Sequence, residues 1–481
     1  MIFSITIPLI FFTMAMYPPL TDNPDNAEWG SQVQRTMGLL SESTPDNRQR
    51  VKILFYGQSI VGGQWHTWVE RDLRERFPFA DLTVENRALG GFSSQYLIKT
   101  VEHDLLVSKP DLVVFHVYGD HIRYEEIIHT LRQQTAAEVM ILTDHWKRNS
   151  YKDGEYTFDN WSKFYDRFLP AVSKKYACEL VDVRWPWKAY LESNQLEPSD
   201  LLRDNVHLNE HGCWLMAQLT LRQLIVRPEL ETDISKNLTA TYVIGKDLHW
   251  QDRTLEFEFS GSRVDLLRQH AGGASCIVTI DGQAPSTFPG TNLHSRSTSI
   301  AEPYEWPEIA RIGFREIPEP QIWTLTIEEI LDPDKQAIAF RLEGDRSGFD
   351  GRGTSTEDFT SNSGQVTIAA DDWILTRKGA AFNEGLIQTG MSIRWRSFRL
   401  ADDIYFPNGL LERERPVVHT IVDGLPNTHH TLRLESDGIA PPFTHIRIYQ
   451  PMLPESPFTP LGLAPNTSFD LNDISAPTPL E

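Results

Sequence analysis

Residues 51–59 have the sequence VKILFYGQS. The apolar run Val51–Tyr56 is typical of a strand that is covered on both faces, and it ends directly at a glycine. Four more runs of this kind follow it: Leu82–Asn86, Leu112–Tyr118, Val139–Thr143 and Leu180–Val183. Longer amphipathic segments alternate with them as predicted helices: Trp65–Arg76, Gln95–Ser108, Tyr124–Thr135, Trp161–Tyr176 and Glu210–Leu224. The alternation predicts a parallel sheet with crossover helices, which makes a three-layer α/β/α domain.

The chain changes character after Pro228. Short alternating runs, separated by turn residues, replace the longer helical segments. The predicted strands are Thr254–Phe259, Cys276–Ile280, Trp323–Ile327, Ala337–Leu342, Gln365–Ile368, Ser392–Leu400, Val417–Val422, Thr431–Glu435 and Thr444–Tyr449. This pattern predicts a C-terminal β-sandwich region, either as one large sandwich or as two smaller ones.

At 481 residues the chain is long enough for two or three domains. We predict an N-terminal extension (1–46), the α/β domain (47–230), the β-sandwich region (231–455), which holds a possible second β module inserted near 300–385, and a C-terminal tail (456–481). The apolar segment Ile2–Met16 fits a signal-peptide core or a segment that packs on the protein. Exported and cytoplasmic locations are therefore left equally open. No later stretch is apolar enough to span a bilayer.

The overall charge restricts the partners. A formal net charge of −21 disfavours nucleic acid and anionic membranes, because both require a basic surface. The 3 cysteines are widely spaced, so we expect buried thiols rather than disulfides or a zinc site. No cofactor is predicted, and the sequence does not specify an oligomeric state.

Residues that directly follow the strands of a parallel sheet are the first candidates for chemistry, because ligands bind beyond the carboxyl ends of such strands. Ser59 follows the first strand. Far along the chain, Asp204 precedes His207 by three residues, just ahead of the last helix. A serine nucleophile requires a base, and the base requires a carboxylate to orient it. We therefore predict Ser59, His207 and Asp204 as a catalytic triad.

From Val51 to Val226 the chain resembles the SGNH, or GDSL, hydrolase family, which has a flavodoxin-like α/β/α fold. The resemblance rests on the serine after the first strand and on residues 204–212, DNVHLNEHG. It implies that Ser59 is the nucleophile, Asp204 the orienting acid and His207 the general base. No metal is implied.

The same resemblance implies an oxyanion hole made of Ser59, Gly91 and the residue at position 120. Gly91 lies in residues 86–94, NRALGGFSS, where Gly90 is the alternative in register. Residues 118–121, YGDH, depart from the family pattern, because Asp120 stands where the family has asparagine. An ionised Asp120 would repel an oxyanion. Either Asp120 is protonated, or it points away and the N–H groups of Ser59 and Gly91 supply most of the stabilisation.

Other polar residues near these strand ends are candidates for substrate binding: Gln58, His66, Tyr118 and His121. A metal site could also be imagined among His116, His121, Asp144, His145 and Trp146, but their spacing matches no known ligand set. In the β region, Asp345 and Asp350 either bind calcium or belong to an exposed loop rich in turns.

Three segments of the β region, 259–264 (FSGSRV), 278–282 (VTIDG) and 429–434 (HHTLRL), resemble strands of galactose-binding-like jelly rolls. The resemblance implies that Trp250, Trp306 or Trp395 could stack on sugar rings, unless they belong to the core.

Together these features predict a serine esterase that removes acetyl groups from a sugar or polysaccharide, with an acetylated carbohydrate as partner. A lipid or aryl esterase with the same triad is one alternative. A non-catalytic carbohydrate-binding protein with an inactive α/β domain is the other.

Overall fold

The computed structural model describes residues 17–20, 27–152, 155–156, 164–268, 274–298, 306–332, 337–375, 387–407, 417–438 and 443–462. The apolar N-terminal segment 2–16 and most of the predicted tail lie outside these residues. No helix in the described ranges is long and apolar enough to cross a membrane. All three cysteines are buried and free of disulfides, which confirms that prediction.

The N-terminal part contains a five-stranded sheet. Its strands are β1 (Arg50–Gly57), β2 (Asp81–Asn86), β3 (Leu112–His116), β4 (Glu138–Leu142) and β7 (Glu179–Val181), and a small ribbon of β5 (Tyr151–Lys152) and β6 (Glu155–Tyr156) lies between the last two in sequence. The order across the sheet is β2-β1-β3-β4-β7, and every pairing is parallel. This is the flavodoxin-like order: the chain places β2 on one side of β1 and all later strands on the other side, so the strand order reverses between β1 and β3.

Helices cover both faces of this sheet. They are α1 (Gln34–Ser41), α2 (Trp65–Arg76), α3 (Ser94–Leu97), α4 (Val101–Ser108), α5 (His121–Gln134), α6 (Leu169–Lys175), α7 (Arg184–Ser193), α8 (Pro198–Leu201), α9 (Glu210–Leu221) and α10 (Asp233–Asn237). One apolar cluster joins α1, α2, α7 and α9 to one face of the sheet, and a second joins α4, α5 and α6 to the other. The predicted three-layer α/β/α domain is confirmed.

The C-terminal region contains a sandwich of two four-stranded sheets. Its strands are β8 (Thr239–Val243), β9 (Thr254–Gly261), β10 (Arg263–Arg268), β11 (Cys276–Ile280), β19 (Ile404–Tyr405), β20 (Val417–Val422), β21 (Thr428–Ser436) and β22 (Phe443–Tyr449). The sheet orders are β20-β10-β22-β8 and β19-β11-β21-β9, with all neighbours antiparallel. This connectivity is that of an eight-stranded jelly roll, as the sequence predicts.

A second β unit interrupts the jelly roll between β11 and β19, and we call residues 292–399 the inserted β module. Its strands are β12 (Asn292–His294), β13 (Gln321–Asp332), β14 (Ala337–Gly344), β15 (Gly348–Thr354), β16 (Phe359–Thr360), β17 (Thr367–Ile368) and β18 (Ser392–Arg399). Five of them form a sheet in the order β12-β18-β13-β14-β15, over an apolar core of its own. The exact domain limits stay a prediction.

The tryptophans proposed for sugar stacking are largely internal. Trp306 and Trp395 are 1% and 3% exposed. Trp250 is half-buried and packs against Phe443 in the jelly-roll core. The core alternative therefore holds for Trp306 and Trp395, and the expectation of an exposed aromatic platform at these positions is wrong.

Candidate active site

The turn that presents Ser59 begins at the end of β1. Gly57 has a φ of +150°, and a Cβ built on it would lie 1.9 Å from the carbonyl oxygen of His116 on β3. Only glycine can hold the chain this close to its neighbour. Because β1 and β3 flank the point where the sheet order reverses, Ser59 emerges at the usual ligand-binding crevice of such a sheet.

The three residues predicted as a triad lie in one hydrogen-bonded line. His207 Nε2 is 2.9 Å from Ser59 Oγ, and His207 Nδ1 is 2.8 Å from Asp204 Oδ2. Asp204 Oδ1 also accepts hydrogen bonds from the backbone N–H groups of Val206 and His207, at 2.8 and 2.7 Å. Slight burial acts to raise the pKa of Asp204, but the hydrogen bonds from these groups together hold it well below its usual value. Asp204 therefore stays ionised beside the imidazole.

The loop that carries His207 is held from two sides. Asn209 caps α9 by accepting from Gly212 N–H at 3.0 Å. On the other side, His145 Nε2 lies 2.7 Å from the carbonyl oxygen of Val206, the residue before His207. A carbonyl can only accept, so Nε2 of this fully buried histidine carries the proton. These contacts fix the position of the base.

Gln58 contacts the serine directly. Its Oε1 lies 2.8 Å from Ser59 Oγ and also accepts from Ile60 N–H at 3.2 Å, and the side chain is only 2% exposed. The single hydroxyl proton of Ser59 can therefore be donated either to this amide oxygen or to His207.

The predicted oxyanion residues differ in their surroundings. Gly90 and Gly91 are the central residues of a turn closed by a hydrogen bond from Phe92 N–H to the carbonyl of Leu89, at 3.1 Å. A Cβ on Gly90 would lie 3.9 Å from Cβ of Ser59, so this turn adjoins the serine. Asp120 instead caps α5, because its Oδ1 accepts from Arg123 N–H at 2.9 Å. This contact favours the alternative in which Asp120 points away.

A cavity of about 360 Å³ opens onto the serine and the histidine. It is lined by Ser59, Ile60, Gly62, Gly63, Gln64, Trp68, Arg203, His207, Leu208, Asn209, Glu210 and Cys213. Trp68, on α2, was not anticipated, although it lies only two residues from His66 and its indole is half-buried. Arg203 was likewise missed, although it directly precedes Asp204.

Residues 55–215 match the model of the GDSL-like lipase/acylhydrolase family. The α/β domain belongs to this family. The matched segment contains Ser59, Asp204 and His207. No curated protein is significantly similar to the chain in sequence.

Several solved structures are similar to parts of the chain, and one of them extends over its β region. A two-domain esterase active on acetylated mannans is 12% identical, with 87% of this chain and 95% of that chain covered and a TM-score of 0.33. An acetyl xylan esterase is 22% identical, covering 36% of this chain and 100% of its own, with a TM-score of 0.31. A catalytic mutant of an acetylxylan esterase from Geobacillus stearothermophilus is 17% identical, with 40% of this chain and 100% of that chain covered and a TM-score of 0.31.

None of the four predicted substrate-binding residues lines this cavity. His66 contacts the carbonyl of Gly63, at 2.9 Å from Nδ1. His121 stacks on Phe168 with ring centroids 4.6 Å apart, and Tyr118 accepts from Ser94 N–H through its carbonyl. A substrate-binding role for Gln58, His66, Tyr118 and His121 stays a prediction.

In the residue group imagined as a metal site, His116, His145 and Lys147 surround the carboxylate of Asp144. Asp144 Oδ1 lies 2.9 Å from His145 Nδ1 and 3.4 Å from His116 Nε2, and Oδ2 lies 2.9 Å from Lys147 Nζ. Burial acts to raise the pKa of Asp144, but Lys147 and the histidines hold it well below its usual value. Among the described residues, no three His, Cys, Asp or Glu side chains are placed to bind a metal ion.

The two aspartates for which calcium binding is an alternative accept hydrogen bonds from neighbouring residues: Asp345 lies in a turn, whereas Asp350 is buried in β15. Asp345 Oδ1 accepts from Ile322 N–H at 2.9 Å. Asp350 accepts from the N–H and hydroxyl of Ser363, at 2.8 and 2.7 Å. Both carboxylates therefore stabilise loops of the inserted β module.

Proposed function

We propose that the chain is a serine ester hydrolase that removes O-acetyl groups from a sugar or polysaccharide. The observation that carries this proposal is the hydrogen-bonded line from Ser59 through His207 to Asp204 at the mouth of a cavity. The family match supports the ester-hydrolase part, and the polar lining of the cavity supports the carbohydrate part.

In the first step, Ser59 Oγ attacks the acetyl carbonyl carbon while its proton passes to His207 Nε2. The ionised Asp204 stabilises the imidazolium that results and keeps Nδ1–H directed toward itself. The tetrahedral intermediate then collapses, His207 returns the proton to the sugar oxygen, and the sugar leaves as an alcohol. The acetyl group remains on Ser59 as an ester.

The second step repeats this chemistry with water. His207 takes one proton from the water as the water oxygen attacks the acetyl carbonyl carbon, and it gives that proton to Ser59 Oγ as acetic acid leaves. The acid then loses its remaining proton to solvent and becomes acetate. In both steps the carbonyl oxygen becomes an oxyanion. We assign its stabilisation to the N–H groups of Ser59 and Gly91, because the Asp120 carboxylate is engaged at the start of α5.

The lining of the cavity suits a small acyl group on a hydroxyl-rich carrier. Gln64, Arg203 and Glu210 place hydrogen-bonding groups around the entrance, and Trp68 offers a half-buried aromatic face. Sugar rings are recognised by such a combination of stacking and hydrogen bonds. A long acyl chain would require a continuous apolar wall, and these polar side chains interrupt it.

The decisive test is acetate release from acetylated xylans, mannans, pectins and simple acetylated sugars, with the wild type and Ser59→Ala side by side. We expect release by the wild type and a loss of at least about 10⁴-fold in the variant, with an unchanged melting temperature. A series of p-nitrophenyl esters separates the alternatives. Rates that rise with acyl length would contradict the acetyl assignment, and an inactive wild type that still binds glycans would contradict catalysis.

A further inference from the structure

The inserted β module reaches into the acylhydrolase domain through one buried tryptophan. Trp306 is 1% exposed and packs in the apolar cluster of the acylhydrolase domain rather than in the core of its own module. Its ring meets that of Phe92 edge to face, with centroids 4.6 Å apart and an angle of 87° between the planes. Its Nε1–H donates to the carbonyl oxygen of Gly90 at 2.7 Å.

The acceptor belongs to a peptide group beside the nucleophile. The carbonyl of Gly90 and the N–H of Gly91 are opposite edges of one planar unit, so fixing the first fixes the direction of the second. This peptide is the central one of the turn Leu89–Phe92, and Gly91 has a φ of +79°, as the third residue of a type II turn does.

The same turn has a second accessible form. A type I turn places its third residue at negative φ and rotates the central peptide, and glycines on both sides of that peptide adopt either form with little steric cost. The sequence of the turn therefore does not by itself determine where Gly91 N–H points. An external contact is needed to select one orientation.

We propose that Trp306 is a positioning residue for catalysis: its hydrogen bond to Gly90 holds the Gly90–Gly91 peptide so that Gly91 N–H faces the developing oxyanion. This inference rests on the proposed function, because it assigns the oxyanion of the esterase reaction to that N–H. It gives the inserted β module a part in the chemistry of a domain that precedes it in sequence.

Ion pairs hold the inserted β module against the same surface. The guanidinium of Arg296 pairs with the buried carboxylate of Asp104, and Lys99 Nζ lies 3.0 Å from Asp372 Oδ1. Both pairs join the module to the region of α3 and α4, which directly follows the Gly90–Gly91 turn. The tryptophan is thus presented by a docked unit with several polar contacts.

The test is Trp306→Phe, which keeps an aromatic ring against Phe92 and removes the N–H donor. We expect kcat for an acetyl ester to fall about 10-fold or more while KM changes less than about 2-fold, because only the transition state gains from the donor. The inhibition constant of methylboronic acid, which forms an anionic tetrahedral adduct with a serine hydroxyl, should rise by a similar factor.

The matched control is Trp323→Phe. Trp323 is another buried tryptophan of the inserted β module, and its Nε1–H donates to Ser397 Oγ at 3.1 Å, within the core of that module. This control should lower the melting temperature comparably and leave kcat unchanged. If Trp306→Phe does not fold, replacing Trp306 by benzothienylalanine exchanges N–H for sulfur at nearly constant shape.

The outcomes are distinguishable. A Trp306 variant with wild-type kcat overturns the positioning role and leaves the proposed esterase function standing. A wild type that cleaves no acetyl ester overturns the proposed function itself. Equal losses of kcat in Trp306→Phe and Trp323→Phe also overturn the inference, since they would reflect only a loosened module.

Discussion

His207 Nε2 lies 2.9 Å from Ser59 Oγ, although 148 residues separate the two along the chain. The sheet brings them together, because β1 ends just before Ser59 and α9 begins just after His207. The adjacent contact to Asp204 Oδ2, at 2.8 Å, completes the line. The fold of the α/β domain therefore determines where these three side chains lie.

Asp204→Asn should lower kcat by about 10²–10⁴-fold, because an amide neither fixes the productive tautomer of His207 nor stabilises its imidazolium. Since the pKa of Asp204 lies well below its usual value, its carboxylate remains ionised between about pH 5 and pH 9. The rate of the wild type should therefore show no change in this range that is caused by protonation of Asp204. Asp233→Asn, at the exposed start of α10, is the control. Equal activity of the two variants would contradict the assigned role.

His145→Leu should reduce kcat about 10-fold or more and the free energy of unfolding by about 1–3 kcal/mol, because the carbonyl of Val206 loses a buried donor. His145→Gln retains an N–H₂ group near the same place and should recover part of both losses. Steady-state kinetics and urea unfolding measure the two effects. If His145→Gln loses as much kcat as His145→Leu, the contact between His145 and the carbonyl of Val206 does not position the base.

Glu179 should make stability depend on pH. Burial raises its pKa to about 7, although Gly30 and Gln32 N–H groups donate to its carboxylate. A raised pKa favours the folded state at low pH, so this contribution is complete below pH 4.5 and is lost as the pH rises through about 7. The corresponding loss is about 3 kcal/mol.

Glu179→Gln cannot titrate, so its unfolding free energy should vary less with pH than that of the wild type over the same window. Urea unfolding at a series of pH values measures both slopes. Identical slopes would show that another group is responsible.

Gly57→Ala should destabilise the chain severely, by several kcal/mol, because the new Cβ would meet the carbonyl of His116. Gly38→Ala is the matched control, since a Cβ at this position in α1 meets nothing within 4 Å. It should stabilise the protein by about 0.5–1 kcal/mol through helix propensity. Loss of stability in both variants would contradict this reading of the β1 turn.

The sequence was sufficient for elements with a clear period. The five strands of the parallel sheet and the jelly-roll strands β9, β11, β20, β21 and β22 were predicted because continuous or alternating apolar runs are unambiguous. The jelly-roll strands β8, β10 and β19 were missed. Helix α1 was missed, since it is short, its apolar residues Met37, Leu39 and Leu40 form no helical period, and Gly38 interrupts the pattern. The predicted helix Gln95–Ser108 is divided into α3 and α4.

In the candidate site, too, some features could be predicted from the sequence and others could not. Ser59 was predicted from its place directly after the first strand, and Asp204 and His207 were predicted from their three-residue spacing just ahead of the last helix. The contact of Trp306 with Gly90 was not, because it joins segments 216 residues apart that belong to different folding units. Likewise, only the folded loop shows that Asp120 serves as a helix cap. Contacts between units depend on docking geometry, which no local pattern contains.

The jelly-roll connectivity constrains the order of assembly during synthesis. Among the described strands, β8 forms ladder hydrogen bonds with β22 alone, about 200 residues further along the chain. At typical ribosomal speeds that interval lasts roughly 10–40 s. The acylhydrolase sheet is complete once β7 has emerged, whereas β8 and β9 wait as unpaired edges until β21 and β22 arrive. Until then the backbone N–H and C=O groups of both strands have no partner in the jelly roll, and exposed strands of this kind are sites of aggregation.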